Sequence, residues 1–138
     1  MAAEVSVDRR IVDQLRTGWF GSVSEIADIE LQRRTWLDPA NQNPHWSYIE
    51  FVCSYPDYDQ LYQAHREGWL SAQELKILED LHRKLDAHSA PGGNEYDNAA
   101  VLADPEWHVV VAAAERAKQQ LLSIVHKQCE RETLLSVE

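Results

Sequence analysis

At 138 residues, with 44% hydrophobic and 26% charged residues, the chain has the size and composition of one globular domain that folds without a metal or disulfide framework. Its 13 basic and 23 acidic residues give a net charge of -10, which argues against nucleic acid and anionic membrane partners and favours a basic protein, although such acidity also serves solubility. No stretch reaches the roughly 18 apolar residues of a membrane span, and Glu4, Asp8, Arg9 and Arg10 stand where a signal peptide would be apolar, so the reading is cytoplasmic.

The first expected helix runs from Ser6 to about Arg16 through Val7, Ile11, Val12 and Leu15, and ends in a turn at Gly18-Trp19-Phe20-Gly21. The spacing Ser22-Val23-Ser24-Glu25 reads as a capping box opening a second helix to Trp36 or Leu37, where Asp38-Pro39 stops it. From Trp46 to Tyr55 the apolar residues fit a buried helix, with a minor strand over 46–55 as the alternative given its aromatic and β-branched content. After Pro56, Asp57 to Glu67 reads as helix through Tyr58, Leu61, Tyr62 and His65, with Ser54 as its expected cap.

A capping box at Ser71-Ala72-Gln73-Glu74 opens a helix to about Ala87 with Leu75, Leu78, Leu81, His82 and Leu85 inward. The stretch 88–103, with Pro91-Gly92-Gly93-Asn94, reads as a flexible loop. Asp104, Pro105 and Glu106 then start the longest helix, which extends to about Gln128 along Trp107, Val110, Val111, Ala114, Ala117, Leu121, Leu122 and Val125. The expected fold is all-α, an irregular single-domain bundle of about five or six helices.

Chemical motifs are sparse. The five glycines form no phosphate-binding pattern, and no GxSxG elbow is present. Cys53 and Cys129 read as ordinary small apolar residues inside helices. No cofactor is expected. Glu79-x-x-His82 and His82-x-x-x-Asp86 put candidate ligands one turn apart, so the alternative function is a metal-binding protein or small enzyme in which His82 and Asp86 meet His65 or His108 between helices.

Charge segregation carries more. No Lys or Arg lies between Arg34 and Arg66, where Asp38, Glu50, Asp57 and Asp59 give -4; none lies between Lys84 and Arg116, where Asp86, Glu95, Asp97, Asp104, Glu106 and Glu115 give -6. The first stretch is also aromatic, and large aromatics ringed by carboxylates suit a docking site for a basic protein. The candidate partner-binding residues are Asp38, Trp46, Glu50, Asp57, Tyr58 and Asp59; the competing reading puts the aromatics in the core. A homo-oligomer joined through the apolar stripe of the last helix is a third reading.

Three blocks, Arg34-Thr35-Trp36-Leu37, Trp46-Ser47-Tyr48-Ile49-Glu50-Phe51-Val52 and Asp104-Pro105-Glu106-Trp107 with Val109-Val110, resemble a group of small acidic bacterial helical proteins. That resemblance implies an uncharacterised or immunity-like function as a partner of toxins, and Asn41-Gln42-Asn43-Pro44 stands outside its pattern. The function expected from the sequence is therefore a non-enzymatic, immunity or antitoxin-like protein-binding module.

Overall fold

The computed structural model describes residues 9–135. It is all-α: α1 (Arg9–Ile26), α2 (Ile29–Trp36), α3 (Tyr48–Ser54), α4 (Tyr58–Arg66), α5 (Ala72–Ala87), α6 (Asn98–Ala103), α7 (Pro105–Ile124) and α8 (Gln128–Leu135), with a 3-10 turn at Pro91–Gly93. That is more helices than the five or six expected, because short segments tied by side chains carry little periodicity of their own. Among the described residues there is no strand, and no helix is long and apolar enough to cross a membrane.

α1 is longer than expected; its proposed start at Ser6 lies outside the described residues. It continues through Gly18 and Gly21, neither of which has a positive φ. Burying Trp19, Phe20 and Val23 outweighs the roughly 1 kcal/mol that each helical glycine costs. Ser22 consequently sits inside a helix and opens none. The break falls at Ala27–Asp28, where the Asp28 side chain accepts from the Leu31 amide at 3.0 Å and caps α2.

Gln32 secures this corner. It is fully buried, and its Nε2 donates to the carbonyls of Glu25 (3.0 Å) and Ile26 (2.9 Å) while its Oε1 accepts from Trp107 Nε1 at 2.9 Å. The last carbonyls of α1 are thus satisfied away from water.

The strand alternative for 46–55 fails because Ser47 caps α3 and accepts from the Glu50 amide. Ser54 does not cap α4; it donates to Glu50 O at 2.7 Å, and Asp57 forms the capping box with Gln60. Gly68 at φ 80° closes α4, with Gly68 N donating to His65 O and Trp69 N to Ala64 O. Ser71 and Glu74 form the expected box at α5.

The stretch 88–103 holds the 3-10 turn and α6, in which Asp97 accepts from the Ala100 amide and Val101 and Leu102 are buried. α7 starts as expected at Asp104 but ends at Ile124, short of Gln128, because Val125 turns extended and Arg131 takes the carbonyls of Leu122 and Val125. α8 follows.

α7 lies between α1 and α5, α4 packs on the outside of α5, and α8 packs on α1 and α7. Ala113, Ala114 and Ala117 let these helices approach closely. The apolar stripe offered above as an oligomer face is taken up here, with Trp107, Val110, Val111, Ala114, Ala117 and Leu121 all buried within the chain. Trp36, Tyr48, Phe51 and Trp107 form an aromatic centre, with Trp36 at 5.1 Å from Phe51 and Tyr48 at 5.2 Å from Trp107, both edge-on.

Candidate functional site

Asparagines shape the ground between α2 and α3. Asn41 Nδ2 donates to Thr35 O (3.1 Å) and Trp46 O (3.2 Å), its Oδ1 accepts from Asn43 N (2.9 Å), and Asn43 Oδ1 accepts from His45 N (3.0 Å). The Asn41-Gln42-Asn43-Pro44 segment is therefore a scaffold of Asx turns that fixes how His45 and Trp46 are presented.

Another Asx turn, Tyr96 N to Asn94 Oδ1 at 3.0 Å, arranges the chain before α6. Asn98 joins the two segments, because its Oδ1 accepts from the Tyr48 amide at 3.1 Å. Between them lies an open hollow of about 410 Å³ lined by Trp46, Ile49, Glu50, Glu95 and Tyr96 among others, with no Lys or Arg in its wall. Tyr96 is 77% exposed and Trp46 is half-buried against the core. Glu50 belongs to the first acidic stretch and Glu95 to the second, so the fold brings both to one place. Carboxylates beside aromatic faces attract ammonium and guanidinium groups by charge and by cation–π contact.

The other predicted residues lie elsewhere. Asp38 is exposed beyond α2 and accepts from the Ala40 amide at 2.9 Å. Asp57 caps α4, where Asp59 is exposed in the first turn. Tyr58 is half-buried, stacked on Tyr62 at 6.1 Å and edge-on to His82 at 4.2 Å. Of the other aromatics in the first acidic stretch, Tyr48, Phe51 and Tyr55 are in the core.

The His82 and Asp86 alternative does not assemble. His82 is held between Tyr55 and Tyr58, Asp86 is exposed, His65 is hydrogen-bonded to Leu70 O and His108 to Leu102 O. Among the described residues no group of three or more His, Cys, Asp or Glu is placed to hold a metal ion. Cys53 and Cys129 are both exposed, contrary to the small-apolar reading, because each falls on the outer face of a short helix.

Three polar constellations escape the sequence. Arg16 is enclosed by Glu74 and Glu130: Nη1 and Nη2 reach the Glu74 carboxylate at 2.9 and 2.8 Å, Nε and Nη2 reach Glu130 at 2.8 and 3.0 Å, and Nη1 also donates to Trp69 O at 2.6 Å. The contacts with both carboxylates hold Arg16 charged far above its ordinary range. Burial pushes the Glu74 carboxyl upward, and the hydrogen bonds from Arg16 and Ser71 outweigh it and leave it below the ordinary value.

In the second, His88 bridges Tyr48 OH (2.8 Å, Nδ1) and Asp104 Oδ2 (2.9 Å, Nε2). Burial, reinforced by the charges of Glu95 and Asp104, raises the Tyr48 phenol. For Asp104 burial acts upward, but the Glu106 amide and His88 hold it low. This Tyr-His-Asp chain has the donors and acceptors of a proton relay; with Tyr48 in the core and the His88 side chain 2% exposed, it ties α3 to the end of α5 and the start of α7. The third is His45 Nε2 with Glu25 Oε2 at 2.9 Å.

Comparison with protein-family models, curated proteins and solved structures gave no match to this chain.

Proposed function

We propose that this chain is a non-enzymatic protein-binding module that docks a basic partner through the hollow between the segments carrying Trp46 and Tyr96. The observation behind this reading is the convergence of the two acidic stretches on one hollow that holds exposed Tyr96, half-buried Trp46, Glu50 and Glu95 and no basic residue. Trp46 and Tyr96 are the anchors in this reading; Glu50 and Glu95 steer the partner in, and Asp38, Asp57 and Asp59 add to the attracting field from further off. The immunity or antitoxin-like version rests on the resemblance of the three sequence blocks. Enzymatic chemistry has less support, since the histidines hold structural contacts instead of sharing a pocket.

The test begins with capture of partners by the full chain, followed by association kinetics with the captured protein. Glu50→Lys with Glu95→Lys should slow association about tenfold at low salt and flatten its salt dependence, because like-charge repulsion replaces steering. Tyr96→Ala should speed dissociation. These side chains are exposed, so the fold tolerates the changes. A partner whose rates are unchanged in both variants overturns the reading.

A further inference from the structure

The outer face of α1 has charge only at its two ends. Arg10 stands at the start of that face and Glu25 at its finish; between them lie Ile11, Gln14, Leu15, Gly18, Gly21 and Ser22, none of them ionisable. The charged residues of the same interval point elsewhere, Asp13 to Lys127 on one side and Arg16 to Glu74 and Glu130 on the other. A helix face turned to water ordinarily carries charges along its length, whereas the centre of a protein interface is depleted of them. Here Ile11 is 50% and Leu15 36% exposed instead. Beside Leu15 the face is indented by an open cleft of about 430 Å³, with Gly18, Trp19 and Ser22 in its wall.

The two ends fit each other. Arg10 and Glu25 stand on the same flank of the helix, since their separation in sequence turns through about 60° beyond whole turns and spans about 22 Å. When two copies of one helix pack antiparallel, the same flank of each meets, so Arg10 of one copy falls beside Glu25 of the other, and the pair forms twice. The crossing point is then close to Gly18, and Leu15 of each copy enters the cleft of the other near Ser22. The net charge of -10 on each chain opposes association; salt at 0.15 M screens that repulsion beyond about 8 Å, while the face itself carries one charge of each sign.

We infer that α1 is the face through which two copies of this chain associate, antiparallel about a two-fold axis near Gly18. No residue of this face lines the Trp46–Tyr96 hollow, so the dimer leaves both hollows open and stands whether or not they dock a protein.

Sedimentation equilibrium of the full chain from about 1 µM to about 1 mM tests this, with a closed dimer of twice the 15.9 kDa chain mass expected. Leu15→Glu sets two carboxylates into the centre of the interface and should return the chain to a monomer; because Leu15 is exposed, the thermal unfolding midpoint of the monomer should be retained. Arg10→Glu and Glu25→Lys each put like charges together at both contacts and should weaken the dimer about tenfold. The double variant restores opposite charges and should recover most of that loss, which a purely structural effect of either change would not produce. A monomer throughout the concentration range, whatever else it captures, overturns the inference. So does an oligomer that grows beyond two, a dimer unchanged by Leu15→Glu, or a double variant no tighter than the single ones.

Discussion

Arg16 Nη2 lies 2.8 Å from Glu74 Oε2, and the same carboxylate accepts from the Ser71 amide at 2.9 Å and closes the capping box of α5. One side chain thus starts a helix and ties it to α1. Glu130 completes the arrangement from α8 and is itself buried, so the guanidinium neutralises part of a charge that water cannot reach. Arg16→Met should cost about 3–5 kcal/mol, because it leaves two buried carboxylates without their cation. Arg16→Lys should recover only part of that, since an ammonium cannot engage both carboxylates through a planar fork. Urea denaturation of the two variants checks the ranking; a loss under about 1 kcal/mol for the methionine would show the pair to be a surface-like contact.

Three depressed carboxyls, one of them Glu74, fix a pH dependence. Asp13, held low mainly by its hydrogen bond from Lys127, and Glu74 and Asp104, held low by bonds that outweigh burial, all have folded values below their ordinary ones. A depressed carboxyl contributes stability that is complete above its unfolded value and is lost as pH falls through the folded one. Denaturation midpoints should therefore stay level with respect to these groups from pH 7 to 5 and drop below about pH 4. In Arg16→Met the sign reverses locally, as buried carboxyls without a cation take up protons more readily when folded, so the gap to the unmodified protein should narrow with acid. A constant gap down to pH 3 would contradict this.

The two S-x-x-E spacings show how far the sequence could be read. Ser71 and Glu74 form a capping box and Ser22 and Glu25 do not, although the local pattern is the same. The difference lies in Trp19 and Phe20, whose burial against the core pulls the chain through Gly18 and Gly21 as helix. Local spacing marks where a helix is able to start; long-range burial decides whether it does. Trp46 and Glu50 stand out in the sequence by composition, whereas Glu95 and Tyr96 become their neighbours only through Asn98, which reaches the Tyr48 amide across 50 residues. The three polar clusters have the same cause, each joining residues far apart in the sequence.

Gly68 offers a test of backbone geometry alone. It holds φ 80° at the end of α4, and a Cβ there would touch none of the described residues within 4 Å. Gly68→Ala should destabilise by about 1–2 kcal/mol through left-handed strain alone. A crystal structure of the variant should show the turn retained. No change in unfolding free energy would mean that the turn relaxes at no cost.

Gln32 should be sensitive to chemistry at constant size. Gln32→Leu leaves the Trp107 indole N–H without an acceptor and should cost about 1–3 kcal/mol. Gln32→Glu keeps that acceptor but sets a carboxylate against the carbonyls of Glu25 and Ile26, which accepted from Nε2. At pH 7 it should be the worse variant, and it should recover as pH falls, because the protonated acid regains a donor. Equal stability of the glutamate variant at pH 7 and pH 5 would rule out this account.

Tyr48 and Asp104 meet through His88 without touching each other, which makes their coupling measurable. Asp104 is held low and only accepts, so the tautomer of the His88 ring that satisfies both contacts has its N–H on Nε2 and takes the Tyr48 hydroxyl hydrogen on Nδ1. Tyr48→Phe should cost about 1–2 kcal/mol by leaving a buried ring nitrogen unpaired. Asp104→Asn keeps the α7 cap, since asparagine caps as well as aspartate, but it weakens the hold on His88. If the histidine transmits, losing one partner frees it to shift, and losing the second then costs less, so the double variant should fall short of the sum by about 0.5 kcal/mol or more. Strict additivity would reduce the chain to two independent hydrogen bonds.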